Sequence, residues 1–173
     1  MIIATIPEST LRIIKIPAEV KKKARGIEIY SEQSNGIFGS NCFFACREAR
    51  PHNDSTKYSN MFFLTLVLIS NHGFGDENAI QHEFSSHGYS DTDSFNSVLV
   101  PRGTLFIVDA NCLHWLFPPL EEKTKIHPFI CLQWSFDKND PMLTDKIKAV
   151  VRRLNGEYVE IEGQLPRPLG RSL

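Results

Sequence analysis

The chain has 173 residues, of which 42% are hydrophobic and 23% charged, with a formal net charge of -1. Such a chain suits one domain with one core, residues 1–173, and it has no global field to draw it to nucleic acid or anionic lipid. The longest apolar run is about ten residues, too short to cross a bilayer as a helix, so no membrane partner is expected.

The chain begins "MIIATIPESTLRIIKIP", with no basic stretch leading into a long apolar one, so a secretory leader is not expected there. Residues 2–16 alternate loosely and carry Ile and Thr, which predicts one or two short strands broken by Pro7. "AEVKKKARG" predicts a turn or two of helix ending at Gly26, with a solvated basic face. From residue 27 the pattern becomes β-like. "GIEIYSE" and "GIFGSNCFFACREAR" are rich in Ile, Phe and Tyr and punctuated by Gly and Asn.

"MFFLTLVLIS", residues 61–70, is short, apolar and bounded by polar turns, which predicts a strand buried on both faces. Residues 71–96 are polar and Gly-rich. They read as long loops around a weak strand near Ile80–Phe84. "SVLVPRGTLFIVDANCLHWLF" predicts strand, Pro-Arg-Gly turn, strand, tight polar turn and strand, and "HPFICLQWSF" a further strand. The one strong helix signal comes late, over residues 141–154, with Asp140 as N-cap, Pro141 as first helical residue and Asn155-Gly156 as the stop. The Pro- and Gly-rich tail, residues 163–173, is expected to fray. Many short strands over residues 27–136 with one C-terminal helix predict a mostly β protein, a sandwich or jelly roll. Four cysteines, Cys42, Cys46, Cys112 and Cys131, form no CxxC pair and sit in or beside apolar segments. They read as buried thiols of a reducing compartment, and a cytoplasmic location is expected.

Ahead of the apolar run stands "CREARPHNDSTKYSN". In extended backbone, residues i and i+2 project together, so His52 and Asp54 share a direction. Imidazole plus carboxylate suits Fe(II) or another divalent ion, and His114 in "VDANCLHWLF" is the best third ligand. The plainer readings are a loop histidine, an Asx turn in "HNDS" and a strand histidine beside Trp115. Thr65 interrupts the apolar run, either as a satisfied core hydroxyl or as a pocket group binding a co-substrate carboxylate.

The order "RPHND", "FFLTLVLISN", a polar insertion, "VPRGTLFIVDANCLHWL" and "HPFICLQWSF" resembles the 2-oxoglutarate/Fe(II)-dependent oxygenase superfamily over about residues 42–136. That resemblance implies a double-stranded β-helix, the jelly-roll or cupin-like fold. It implies Fe(II) held by His52, Asp54 and His114, 2-oxoglutarate as co-substrate, and hydroxylation or demethylation of a small-molecule or protein substrate. The family's usual Arg or Lys on the final core strand has no Arg counterpart here. Lys125 and His127 are the cations on the corresponding face of "KTKIHPFICLQWSF", and either would hold the co-substrate's distal carboxylate. Two other classes stay open: a metal-binding jelly-roll protein that does not use 2-oxoglutarate, and a non-catalytic binding or interaction module of the same shape.

Overall fold

The computed structural model describes residues 1–25, 30–33, 42–46, 52–53, 60–70, 73–76, 96–117 and 129–157. Among them the chain runs β1 (Ile2–Thr5), α1 (Glu8–Ile13), α2 (Ala18–Arg25), β2 (Tyr30–Gln33), β3 (Cys42–Cys46) and β4 (Met61–Ile69). It continues through β5 (Gly73–Asp76), β6 (Asn96–Leu99), β7 (Thr104–Asp109), β8 (His114–Phe117), β9 (Phe129–Asp137) and α3 (Leu143–Leu154). The protein is rich in strand. The pairing is antiparallel, in a six-stranded sheet ordered β1-β7-β4-β9-β3-β2 and a three-stranded sheet ordered β6-β5-β8. No helix among the described residues is long and apolar enough to cross a membrane, a statement about helices only.

The large sheet is buried on both faces at its centre, which is why β4 and β9 are nearly continuous apolar runs. In register, Leu64 stands opposite Trp134 and Leu66 opposite Leu132. These four pack in a cluster with Leu11, Val20, Val150 and Leu154 of the helices. The alternate positions Phe63, Val67, Phe129 and Cys131 join Phe106, Val108, Val100 and Leu116 in a second cluster. Leu116 belongs to β8, so this second face looks toward the three-stranded sheet. The alternation expected for residues 129–136 is therefore the alternation between two cores.

Three expectations need correction. The apolar stretch after Pro7 is helical, not a second strand. Pro7 supplies the extended backbone ahead of α1, and the helix buries Thr10 and Leu11. The Thr10 hydroxyl donates to the Leu154 carbonyl at 2.6 Å, so contact with α3 outweighs the β preference of the Ile-rich sequence. In the polar insertion, Gly73–Asp76 forms β5, which pairs with β6 on one side and β8 on the other. The strand expected near Ile80–Phe84 and the tail 163–173 lie outside the described residues.

The third correction concerns α3, which begins at Leu143 instead of Pro141. Asp140 caps the preceding turn: its carboxylate accepts from the Met142 amide at 2.8 Å and pairs with the Lys146 ammonium. The Lys146 bond first, and the Met142 amide second, hold the Asp140 carboxyl below the usual carboxylate range. A depressed carboxylate adds stability above its unfolded pKa, about 3.9, and loses it as pH falls through the lower folded value. Asp140→Asn is accordingly expected to lower the urea midpoint at neutral pH, with the gap from the parent closing as pH drops below about 4. Denaturant titrations of both proteins across that range check the sign.

The turn between β6 and β7 ties the first helix to the sheet. Gly103 has φ +90°, a left-handed conformation that glycine adopts without strain, and its amide donates to Val67 at 2.8 Å. Beside it, the Arg102 guanidinium donates to the Leu68 carbonyl at 2.6 Å and to the Glu8 carboxylate at 3.2 and 3.3 Å.

Candidate metal centre

β7 ends at Asp109, and the turn through Ala110 and Cys112 sends β8 back across the second core. The turn is built locally. The Asp109 carboxylate accepts from the Asn111 amide at 2.8 Å, and the Asp109 carbonyl accepts from the Cys112 amide at 2.9 Å. The Ala110 amide donates to the Met61 carbonyl at 3.0 Å, anchoring the turn to the start of β4. His114 is the first residue of β8 and is 8% exposed. It shares a face with Leu116, two residues on, so it belongs to the surface of the small sheet that faces the large one.

The His114 ring has a defined orientation. Its Nδ1 lies 2.8 Å from the Cys112 carbonyl oxygen. A carbonyl can only accept, so Nδ1 carries the hydrogen and the lone pair of the neutral ring resides on Nε2. A metal-ligating imidazole is commonly fixed this way, with the second ring nitrogen donating to a carbonyl.

His52 is brought to this ring by backbone pairing. The His52 amide donates to the His114 carbonyl at 3.0 Å, and the His114 amide donates to the His52 carbonyl at 2.8 Å. The two residues form an isolated antiparallel bridge, so they stand directly opposite and on one side of it. Their ring centroids are 4.6 Å apart with planes inclined at 55°. His52 is exposed while His114 is buried, which puts the pair at the boundary between the core and solvent. On the other side of β8, Asp76 occupies the β5 position opposite His114.

Two imidazoles at this separation, one with its tautomer set, fit a borderline divalent ion. The proposed third ligand, Asp54, lies outside the described residues, as do Lys125 and His127. Among the described residues no group of three His, Cys, Asp or Glu stands together as a metal set. Thr65 is 3% exposed and opposite Gln133 in register, on the face of the large sheet that looks toward β8. The inner face of β9 continues with Gln133 and Ser135, both neutral.

No protein-family model and no curated protein matches the chain.

Three groups around His114 have no role legible in the motif alone: the Cys112 carbonyl, Asp109 and Lys138. The first is a backbone group with no residue signature. Asp109 carries a legible one, since an Asp two residues before a turn amide reads as an Asx turn. Lys138 sits beyond β9 and pairs with Asp109 only through the fold.

Proposed function

We propose that the protein is a double-stranded β-helix oxygenase that binds Fe(II) through His52, Asp54 and His114 and uses 2-oxoglutarate as co-substrate. The observation that carries this reading is the paired backbone of His52 and His114, with His114 Nδ1 committed to the Cys112 carbonyl. His114 would offer Nε2 to the metal, and its buried position would shield that side from water. His52, exposed beside it, would complete the imidazole pair, and Asp54 would add the negative charge that neutralises part of the cation's. The iron, when bound, supplies oxygen activation coupled to decarboxylation of the co-substrate. Thr65 would donate a hydroxyl from the facing sheet to the co-substrate.

The distal carboxylate of 2-oxoglutarate would need a partner charge, because burying it unpaired costs several kcal/mol, and Lys125 or His127 would supply it. Lysine stays charged across neutral pH. A histidine clasp, with its pKa raised above about 6.5 by the bound carboxylate, holds below that raised pKa and lets go as pH rises through it. Affinity for 2-oxoglutarate, measured in the iron-loaded protein from about pH 6 to pH 9, is expected to be flat if Lys125 is the clasp. Lys125→Ala then abolishes it. A profile that weakens at high pH and is lost in His127→Ala assigns the histidine. No binding by the iron-loaded parent removes 2-oxoglutarate from the reading.

A second reading, a metal-binding jelly roll without 2-oxoglutarate, is favoured by the lack of any Arg in the final-strand segment "KTKIHPFICLQWSF", where the resemblance implies one. The same titration separates the two readings.

A further inference from the structure

We propose that Asp109 is a positioning residue for His114, acting through the turn between β7 and β8, and that Lys138 holds Asp109 in that role. The proposal rests on His114 being a metal ligand, but the geometry behind it is independent of any metal. One carboxylate oxygen of Asp109 takes both the Asn111 amide, at 2.8 Å, and the Lys138 ammonium. The ion pair is largely withdrawn from water, with side chains 18% and 26% exposed for Lys138 and Asp109. Lys138 is itself constrained. Its amide donates to the Asn60 carbonyl at 2.8 Å, and its ammonium lies 5.3 Å from the centre of the Phe62 ring.

The consequences run along the turn. With Asp109 held, its own carbonyl receives the Cys112 amide at 2.9 Å, which anchors Cys112, and the next peptide places the Cys112 carbonyl 2.8 Å from His114 Nδ1. The carbonyl selects the tautomer that leaves the lone pair on Nε2. Three links therefore connect a half-buried ion pair at the end of the large sheet to the protonation pattern of an imidazole in the small one. Removing the Asp109 carboxylate loosens the turn, and a mobile Cys112 carbonyl no longer enforces one tautomer.

The test uses the ring-nitrogen NMR signals of His114 in the full chain labelled with nitrogen-15, together with Mn(II) affinity by titration calorimetry. Asp109→Ala and Lys138→Met are expected to convert a single His114 tautomer into a mixture and to weaken Mn(II) about 10-fold, the size typical of losing an outer partner of a ligand. Lys138→Arg keeps the ion pair and is expected to restore both. The Asp140–Lys146 pair has similar exposure, 22% and 17%, but lies at the start of α3. Lys146→Met is the matched control and should leave tautomer and affinity as in the parent. If Asp109→Ala does not fold, Asp109→Asn, which keeps an acceptor for the Asn111 amide, replaces it. An unchanged His114 tautomer in both the Asp109 and Lys138 variants overturns the proposal. Failure of the parent to bind Mn(II) overturns the metal reading instead, and the tautomer measurement then decides the positioning role by itself.

Discussion

His114→Ala is expected to abolish stoichiometric binding of a divalent metal, lowering affinity for Fe(II) by at least about 100-fold, the upper end of what loss of an outer-shell partner costs. The substitution removes the imidazole whose Nδ1 is committed to the Cys112 carbonyl, and with it the ring 4.6 Å from that of His52. It leaves the ladder intact, because both hydrogen bonds between His52 and His114 run through backbone atoms. The stability cost combines the lost donor to a buried carbonyl, about 1–3 kcal/mol, with the space left by the buried ring, against a domain stability on the order of 5–15 kcal/mol. A folded His114→Ala protein that no longer takes up metal isolates the ligand role, and calorimetric titration with Fe(II) under anaerobic conditions measures it. His52→Ala and Asp54→Ala should behave alike. Undiminished metal uptake by His114→Ala would sink the proposed centre.

Trp134→Ala should destabilise the protein by about 3–5 kcal/mol, a large share of the whole. Trp134 is fully buried in the middle of β9, opposite Leu64, in the cluster that joins the large sheet to the helices. Truncation removes the transfer free energy of the indole and leaves a cavity among residues from β4, β9 and α3 that can close only partly. Leu99, by contrast, is 68% exposed at the end of β6, and Leu99→Ala should fall within about 0.5 kcal/mol of the parent. Urea midpoints for the three proteins check the ordering. Because Trp134 lies on the face away from the small sheet, the Trp134→Ala protein that remains folded should keep its metal affinity. Parallel loss of metal and stability would mean that the two faces of the large sheet are not independent.

The positions of most central strands along the chain are legible in the residues. "MFFLTLVLIS" fits a strand buried on both faces better than a helix, because it is short for a buried helix and has polar turns at both ends. The Pro-Arg-Gly turn and the polar turn at "DANC" bounded β6, β7 and β8 because glycine and Asx chemistry act within a few residues. The helix that follows Asp140 is visible for the same reason, and it starts two residues later than the sequence predicts because the Asp140 carboxylate caps a turn ahead of it.

What local pattern determined by itself was therefore the existence of the central strands, the alternation that divides their side chains between two faces, and the candidacy of His52 and His114. The tertiary structure decided the remainder. It made a helix of the Ile-rich segment after Pro7, since burying Leu11 against α3 outweighs local β preference. It made a strand of Gly73–Asp76, where propensity is poor but backbone groups on both edges find partners in β6 and β8. It also set His52 against His114 and Lys138 against Asp109, residues far apart in the chain. Such pairings depend on which strand edges meet and in what register, and those are settled by burial of the whole sheet and not by the few neighbours that a residue has in sequence.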